Sequence, residues 1–151
     1  MNGEHAWSTQ LRAATANIVD AIKRGRFPNR KYFLPHVPER LRRAIRKALS
    51  VDPKERHQTA VELADDLGHV APALDWVCRP TPTGATTWTA NRGSQPKIVV
   101  ELQPSGNGWN VQVFTDCNGK RRGREKTTAW RSGISAEDAH RHLRKVFKTL
   151  V

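Results

Sequence analysis

Residues 97–113 read KIVVELQPSGNGWNVQV, and the period of this stretch decides the fold class. Ile98, Val100 and Leu102 fall on alternate positions, as do Trp109, Val111 and Val113, and SGNG at 105–108 separates the two runs. Strict alternation on either side of a Gly/Asn-rich break is the pattern of an antiparallel strand pair with one buried face. A second turn is expected at Asn118-Gly119, followed by a third strand over about 121–131 that ends at Trp130. Beyond it the period changes. Ser135 is placed to cap a last helix, with Asp138 three residues on, and Ala139, Leu143, Val146, Phe147 and Leu150 share one face. The expectation for 97–151 is a small three-stranded antiparallel sheet covered by one amphipathic helix.

Upstream, RPTPTGATTWTANRGSQP at 79–96 is dense in Thr, Pro and Gly and shows neither period, so it reads as a linker that Trp88 pins to the surface. Residues 1–78 read as helical. From Ser8 and Thr9 to residue 24, Leu11, Thr15, Ile18, Val19 and Ile22 form a stripe that Gly25 ends. Three prolines in 26–38 make an irregular connection with Phe27, Tyr32, Phe33 and Leu34 turned inward. Leu41, Ile45, Ala48 and Leu49 then share a face, with Arg42, Arg43, Arg46 and Lys47 outward. Thr59 and Glu62 form a capping box that opens a third helix, its Leu63 and Leu67 inward. The fold class is thus α+β, with a three-helix segment, a linker and a β-β-β-α module.

The segment FPNRKYFLPHVPERLRRAIRKALSVDPKERHQTAVELADDL, residues 27–67, resembles the C-terminal end of the large lobe of bacterial, eukaryotic-like serine/threonine protein kinases. The likeness covers about residues 18–70 and is densest at Val37-Pro38, Leu41, Ile45, Ala48-Leu49, Asp52-Pro53, Arg56, Ala60, Glu62-Leu63 and Leu67. In that family the arginine at the place of Arg56 is held by the glutamate of an Ala-Pro-Glu motif, and these helices lean on a central helix of the lobe. This sequence has no Ala-Pro-Glu, no Gly-rich loop, no Val-Ala-Ile-Lys, no His-Arg-Asp loop and no Asp-Phe-Gly. Phosphoryl transfer is positioning and charge stabilisation by those parts, so no catalytic residue and no cofactor is expected.

Two consequences follow for the helical segment. Arg56 must be solvated, paired with Glu62, Asp65 or Asp66, or paired with a glutamate from another chain, because an uncompensated buried guanidinium is costly. Leu41, Ile45, Leu49, Leu63 and Leu67 need cover, from the C-terminal sheet or from another subunit. Arg56, Leu41, Ile45 and Leu63 are therefore candidate contacts for a protein partner, either kinase-like or a second copy.

The charge points elsewhere. The chain carries +12, and residues 76–151 hold 13 Lys/Arg against 5 Asp/Glu. Lys120, Arg121, Arg122, Arg124, Lys126 and Arg131 cluster around the second hairpin beside Trp130, the mixture of cations and aromatic that a nucleic-acid backbone attracts. The β-β-β-α order resembles in outline the second half of a double-stranded-RNA-binding domain and the N-terminal domain of phage integrases. Its last helix, however, starts Ser135-Ala136-Glu137-Asp138, whose acids repel phosphate.

Other chemistry is thin. Cys78 and Cys117 lie far apart without CxxC, and the six histidines show no ligand spacing, so neither a disulfide framework nor a metal site is expected. No run approaches the roughly 20 apolar residues of a membrane span, and the N-terminus lacks a signal pattern, so the expected location is cytoplasmic. The reading is a non-catalytic, pseudokinase-like fragment acting through protein binding. Its alternatives are a nucleic-acid-binding protein and the C-terminal part of a full kinase whose start lies upstream.

Overall fold

The structure is a computed structural model that describes residues 3–14, 17–70, 74–117, 120–122 and 129–150. It is α+β and divides into two compact units, 1–71 and 72–151. No helix among the described residues is long and apolar enough to cross a membrane.

The first unit holds α1 (Gly3–Ala14), α2 (Ile18–Lys23), α3 (Glu39–Ala48), a 3-10 turn (Pro53–Glu55) and α4 (Ala60–Gly68). The single helix expected over 8–24 is two helices. Asn17 supplies the reason, since its side chain accepts the Asp20 amide at 3.0 Å and caps a new start. Thr15 lies outside the described residues. The expected stripe is not the buried one: Leu11, Val19 and Ile22 are exposed and Ala21 is buried. Gly25 does end α2, with φ at +68°, a conformation that residues with a Cβ rarely adopt. In the proline-rich connection Phe27, Phe33 and Val37 are buried, Leu34 is half-buried and Tyr32 is exposed. The Trp7 and Phe27 rings lie 4.9 Å apart, and Gln10 accepts the Asn29 amide at 2.7 Å, so α1 is fastened to that connection.

On α3 the buried face is rotated from the expected one. Ala44 is buried, Leu41, Ile45 and Ala48 are half-buried, Leu49 is exposed, and Arg42, expected outside, is only 9% exposed. Its long aliphatic stem can lie against apolar surface while the head reaches Glu39 at 2.9 Å. The box at α4 forms with a one-residue shift. Thr59 Oγ1 accepts the Glu62 amide at 3.1 Å, and the Glu62 carboxylate accepts the amide of Gln58 at 2.8 Å.

The second unit contains a six-stranded antiparallel sheet with β1 (Trp76–Pro80), β2 (Thr86–Arg92), β3 (Gln95–Ser105), β4 (Gly108–Cys117), β5 (Lys120–Arg122) and β6 (Arg131–Ile134), followed by α5 (Ala136–Thr149). The three-stranded expectation is therefore corrected. Residues 79–96 are no linker: they complete β1, form all of β2 and begin β3. Thr81 and Gly84 close the first turn, and a two-residue turn lies between Arg92 and Gln95. The expected third strand is two short ones, both paired to β4: Arg121 opposite Asp116 and Arg131 opposite Val111. The 105–108 turn forms as read, with Ser105 opposite Gly108, while Asn118 and Gly119 lie outside the described residues.

One face of this sheet and one face of α5 make a continuous core of Trp88, Ile98, Val100, Val111, Val113, Ala139, Leu143, Val146, Phe147 and Leu150. Trp88 is 2% exposed and meets Phe147 edge-on at 5.4 Å; Trp76 does the same at 4.9 Å. Ser135 caps α5 by accepting the Asp138 amide at 3.1 Å, as its sequence indicates.

Candidate functional site

The turn between α3 and α4 is built by side chains that satisfy loose carbonyls. After α3 ends, Arg56 Nε donates to the Ser50 carbonyl at 2.8 Å, with Nη2 at 3.5 Å from that of Val51. Gln58 Nε2 lies within hydrogen-bond distance of the carbonyls of Pro53, Lys54 and Arg56, at 3.0, 3.2 and 2.8 Å. A guanidinium closing carbonyls past a helix C-terminus is a cap, and favourable for the helix dipole. Arg56 is exposed, and among the described residues it has no ion pair with Glu62, Asp65 or Asp66. Glu62 is engaged by Gln58. Asp66 accepts from His57 Nε2 at 2.8 Å, and that imidazole is only 4% exposed.

The apolar candidates divide. Leu41, Ile45 and Leu63 are half-buried. Leu49, Val51, Val61 and Leu67 are exposed, Val61 at 68%. Helix α4 has no buried residue.

In the second unit the basic cluster is only partly visible. Lys120, Arg121 and Arg122 form β5 against the end of β4, and Arg124 and Lys126 lie outside the described residues. Trp130 is half-buried, and its indole N–H donates to the Val113 carbonyl at 2.8 Å, which fixes it as a peg at the sheet rather than a free stacking platform. Arg131 is exposed and donates to the Trp130 carbonyl at 2.7 Å. On α5, Arg141 is held by Glu137 and Asp138 at 2.9 and 2.8 Å, whereas Arg144, Lys145 and Lys148 are exposed.

Titratable groups add little chemistry. Burial pushes the Cys78 thiol up and holds the half-buried His36 imidazole below its ordinary range. Among the described residues no three His, Cys, Asp or Glu side chains are placed to hold a metal ion. No protein-family model, no curated protein and no solved structure matches this chain.

The sequence places Arg43 and Lys47 on an outward basic face, and Arg40, one turn earlier, was not read with them. Arg40, Arg43 and Lys47 recur at helical spacing and line a cleft between α3 and α4 together with Ala44, Asp66 and His69.

Proposed function

We propose that this chain is a non-catalytic protein-binding module. Its first unit is like the end of a kinase large lobe and docks on a protein partner, kinase-like or a second copy. One observation carries the reading. Of the ten exposed large hydrophobic side chains among the described residues, nine lie in residues 1–71, including Val19, Ile22, Leu49, Val51, Val61 and Leu67. Single exposed apolar residues are ordinary, but so uneven a share between two units of similar length favours cover of the first unit by another surface. Arg56, capping carbonyls from an exposed position, stays within reach of an incoming carboxylate.

The test has two parts. Purified chain given ATP and a generic protein substrate should transfer no phosphate. In nuclease-treated native extract, wild type should retain a partner that Val61→Glu/Leu67→Glu and Arg56→Glu release. Phosphate transfer by the purified chain would overturn the proposal, and so would a partner that the Val61/Leu67 variant retains.

A second reading, nucleic-acid binding by the second unit, is favoured by exposed Arg144, Lys145 and Lys148 on α5 together with the basic run 120–131. It requires affinity that falls steeply with salt, because counterions are released from each neutralised phosphate. A flat salt response eliminates it.

A further inference from the structure

The cleft between α3 and α4 has a volume of about 530 Å³ and is lined by Arg40, Arg43, Ala44, Lys47, Asp66 and His69. Three permanent cations face one carboxylate. That carboxylate is engaged, since Asp66 accepts from His57 at 2.8 Å. The negative end of α4 is engaged as well: Arg40 Nη1 donates to the His69 carbonyl at 2.9 Å, and the Asp65 carbonyl takes the His69 amide at 3.1 Å and lies 2.7 Å from its Nδ1. Both local sources of negative potential therefore already accept hydrogen bonds from neighbours.

Arg43 and Lys47 are in a different position. Among the described residues neither head group has an ion-pair or hydrogen-bond partner, because the acid one turn before Arg43 is shared by Arg42 and Arg46 at 2.9 Å each. Arg43 and Lys47 are themselves an i,i+4 pair of like sign, which destabilises a helix, and Arg40 extends the same row. A stripe of cations kept together against their mutual repulsion, over a concave surface, is complementary to a negatively charged ligand. The row spans seven residue steps, about 10 Å of helix axis, which matches several side chains of an extended peptide better than one small ion. The exposed Asp66 carboxyl is held below its ordinary range chiefly by the His57 hydrogen bond, and of the three cations only Lys47 contributes, as a lesser cause.

We propose that this cleft seats an acidic peptide segment of the protein partner, with its carboxylates or a phosphoryl group received by Arg43 and Lys47. The occupant rests on the protein-binding reading; the anion site does not. The test uses the whole chain and fluorescein-labelled hexaglutamate in about 0.1 M salt, where the screening length is about 10 Å. Fluorescence anisotropy should show saturable binding that Arg43→Ala/Lys47→Ala weakens by about tenfold or more, about 1.4 kcal/mol. Arg144→Ala/Lys145→Ala, on α5, should leave it within about twofold, which is under about 0.5 kcal/mol. All four side chains are exposed, so both variants should keep the wild-type circular dichroism.

A phosphoserine peptide of equal length identifies the anion: tighter binding with the same Arg43/Lys47 dependence assigns a phosphoryl group, weaker binding assigns carboxylates. Equal loss in both double variants, or no saturation, would reduce the effect to general adsorption on a basic protein and overturn the site. Duplex DNA that displaces the peptide only when Arg43 and Lys47 are present would overturn the peptide as occupant. Because no partner is needed, the assay can succeed when partner capture fails, and the two proposals fail separately.

Discussion

In residues 72–151, Ala90, Val100, Val111 and Leu143 are fully or almost fully shielded from solvent, whereas in residues 1–71 helix α4 has no fully buried residue. The first region is closed by its own sheet and helix. Helix α4 is held mainly by polar links at its ends: the Thr59 cap, the Glu62 bond to Gln58, the His57–Asp66 pair and the Arg40 bond to the His69 carbonyl. Apolar burial contributes about 25 cal/mol per Å², while a cap or an exposed polar pair contributes about 1 kcal/mol or less. The contrast shows two ways to specify a helix, one by what it covers and one by how its ends are tied.

The sharpest way to break this contrast is Leu143→Ala. It should cost the second unit about 2–5 kcal/mol, read as a fall in the denaturation midpoint followed by tryptophan fluorescence. A loss below about 1 kcal/mol would mean that the sheet and α5 are not one core. Next comes Gly108→Ala. A Cβ there would lie 2.8 Å from the Gly133 carbonyl carbon and 3.0 Å from the carbonyl oxygens of Gly133 and Ile134. These are backbone atoms of or beside β6, so the two strands must separate, at a cost of about 1–3 kcal/mol and with amide exchange rising first in β6.

Thr59→Ala tests the other side of the comparison. It should destabilise the start of α4 by about 1 kcal/mol, detected as faster amide exchange there while the second unit is unchanged. The acid response sharpens it further. Because the folded Asp66 carboxyl lies below its ordinary value of 3.8, its contribution is complete above that value and is lost as pH falls through the lower folded one. Protection of α4 amides, taken relative to the intrinsic exchange rate at each pH, should therefore fall below about pH 4 in the wild type, and Asp66→Asn should remove that dependence. The smallest effect is expected at Leu67→Gln, within about 0.5 kcal/mol, because that side chain is already exposed. A large loss of stability in that variant would show that α4 depends on Leu67 for cover after all.

The same contrast explains what was legible beforehand. Ile98, Val100, Leu102, Val111 and Val113, and the stripe from Ala139 to Leu150, announce themselves because each meets its partner through a strict local period. The Thr59 and Ser135 caps are legible because the chemistry of a cap lies within three residues.

Strands β1 and β2 were hidden by punctuation. Pro80, Pro82 and Gly84 mark the turn between two strands, and Thr86, Thr87, Trp88 and Thr89 carry the β-branched and aromatic preference that a linker reading passes over. On α3 a stripe could be rotated because Arg42 can bury its stem, and hydropathy alone assigns an arginine to the outside. Arg56 could not be placed from sequence, since its carbonyl partners lie on the far side of a turn whose closure is a three-dimensional fact.

The rims of the sheet carry one more consequence. Strand β1 offers an outer edge of five residues that ends in Pro80, and the opposite side of β4 is already divided between three residues of β5 and four of β6. Proline lacks an N–H, and short interrupted edges give an incoming strand few places to bind. A handful of ladder bonds at about 1 kcal/mol each does not offset the roughly 4–15 kcal/mol of freedom lost when two molecules join. Among the described residues, stacking of these sheets rim to rim therefore finds few places to start.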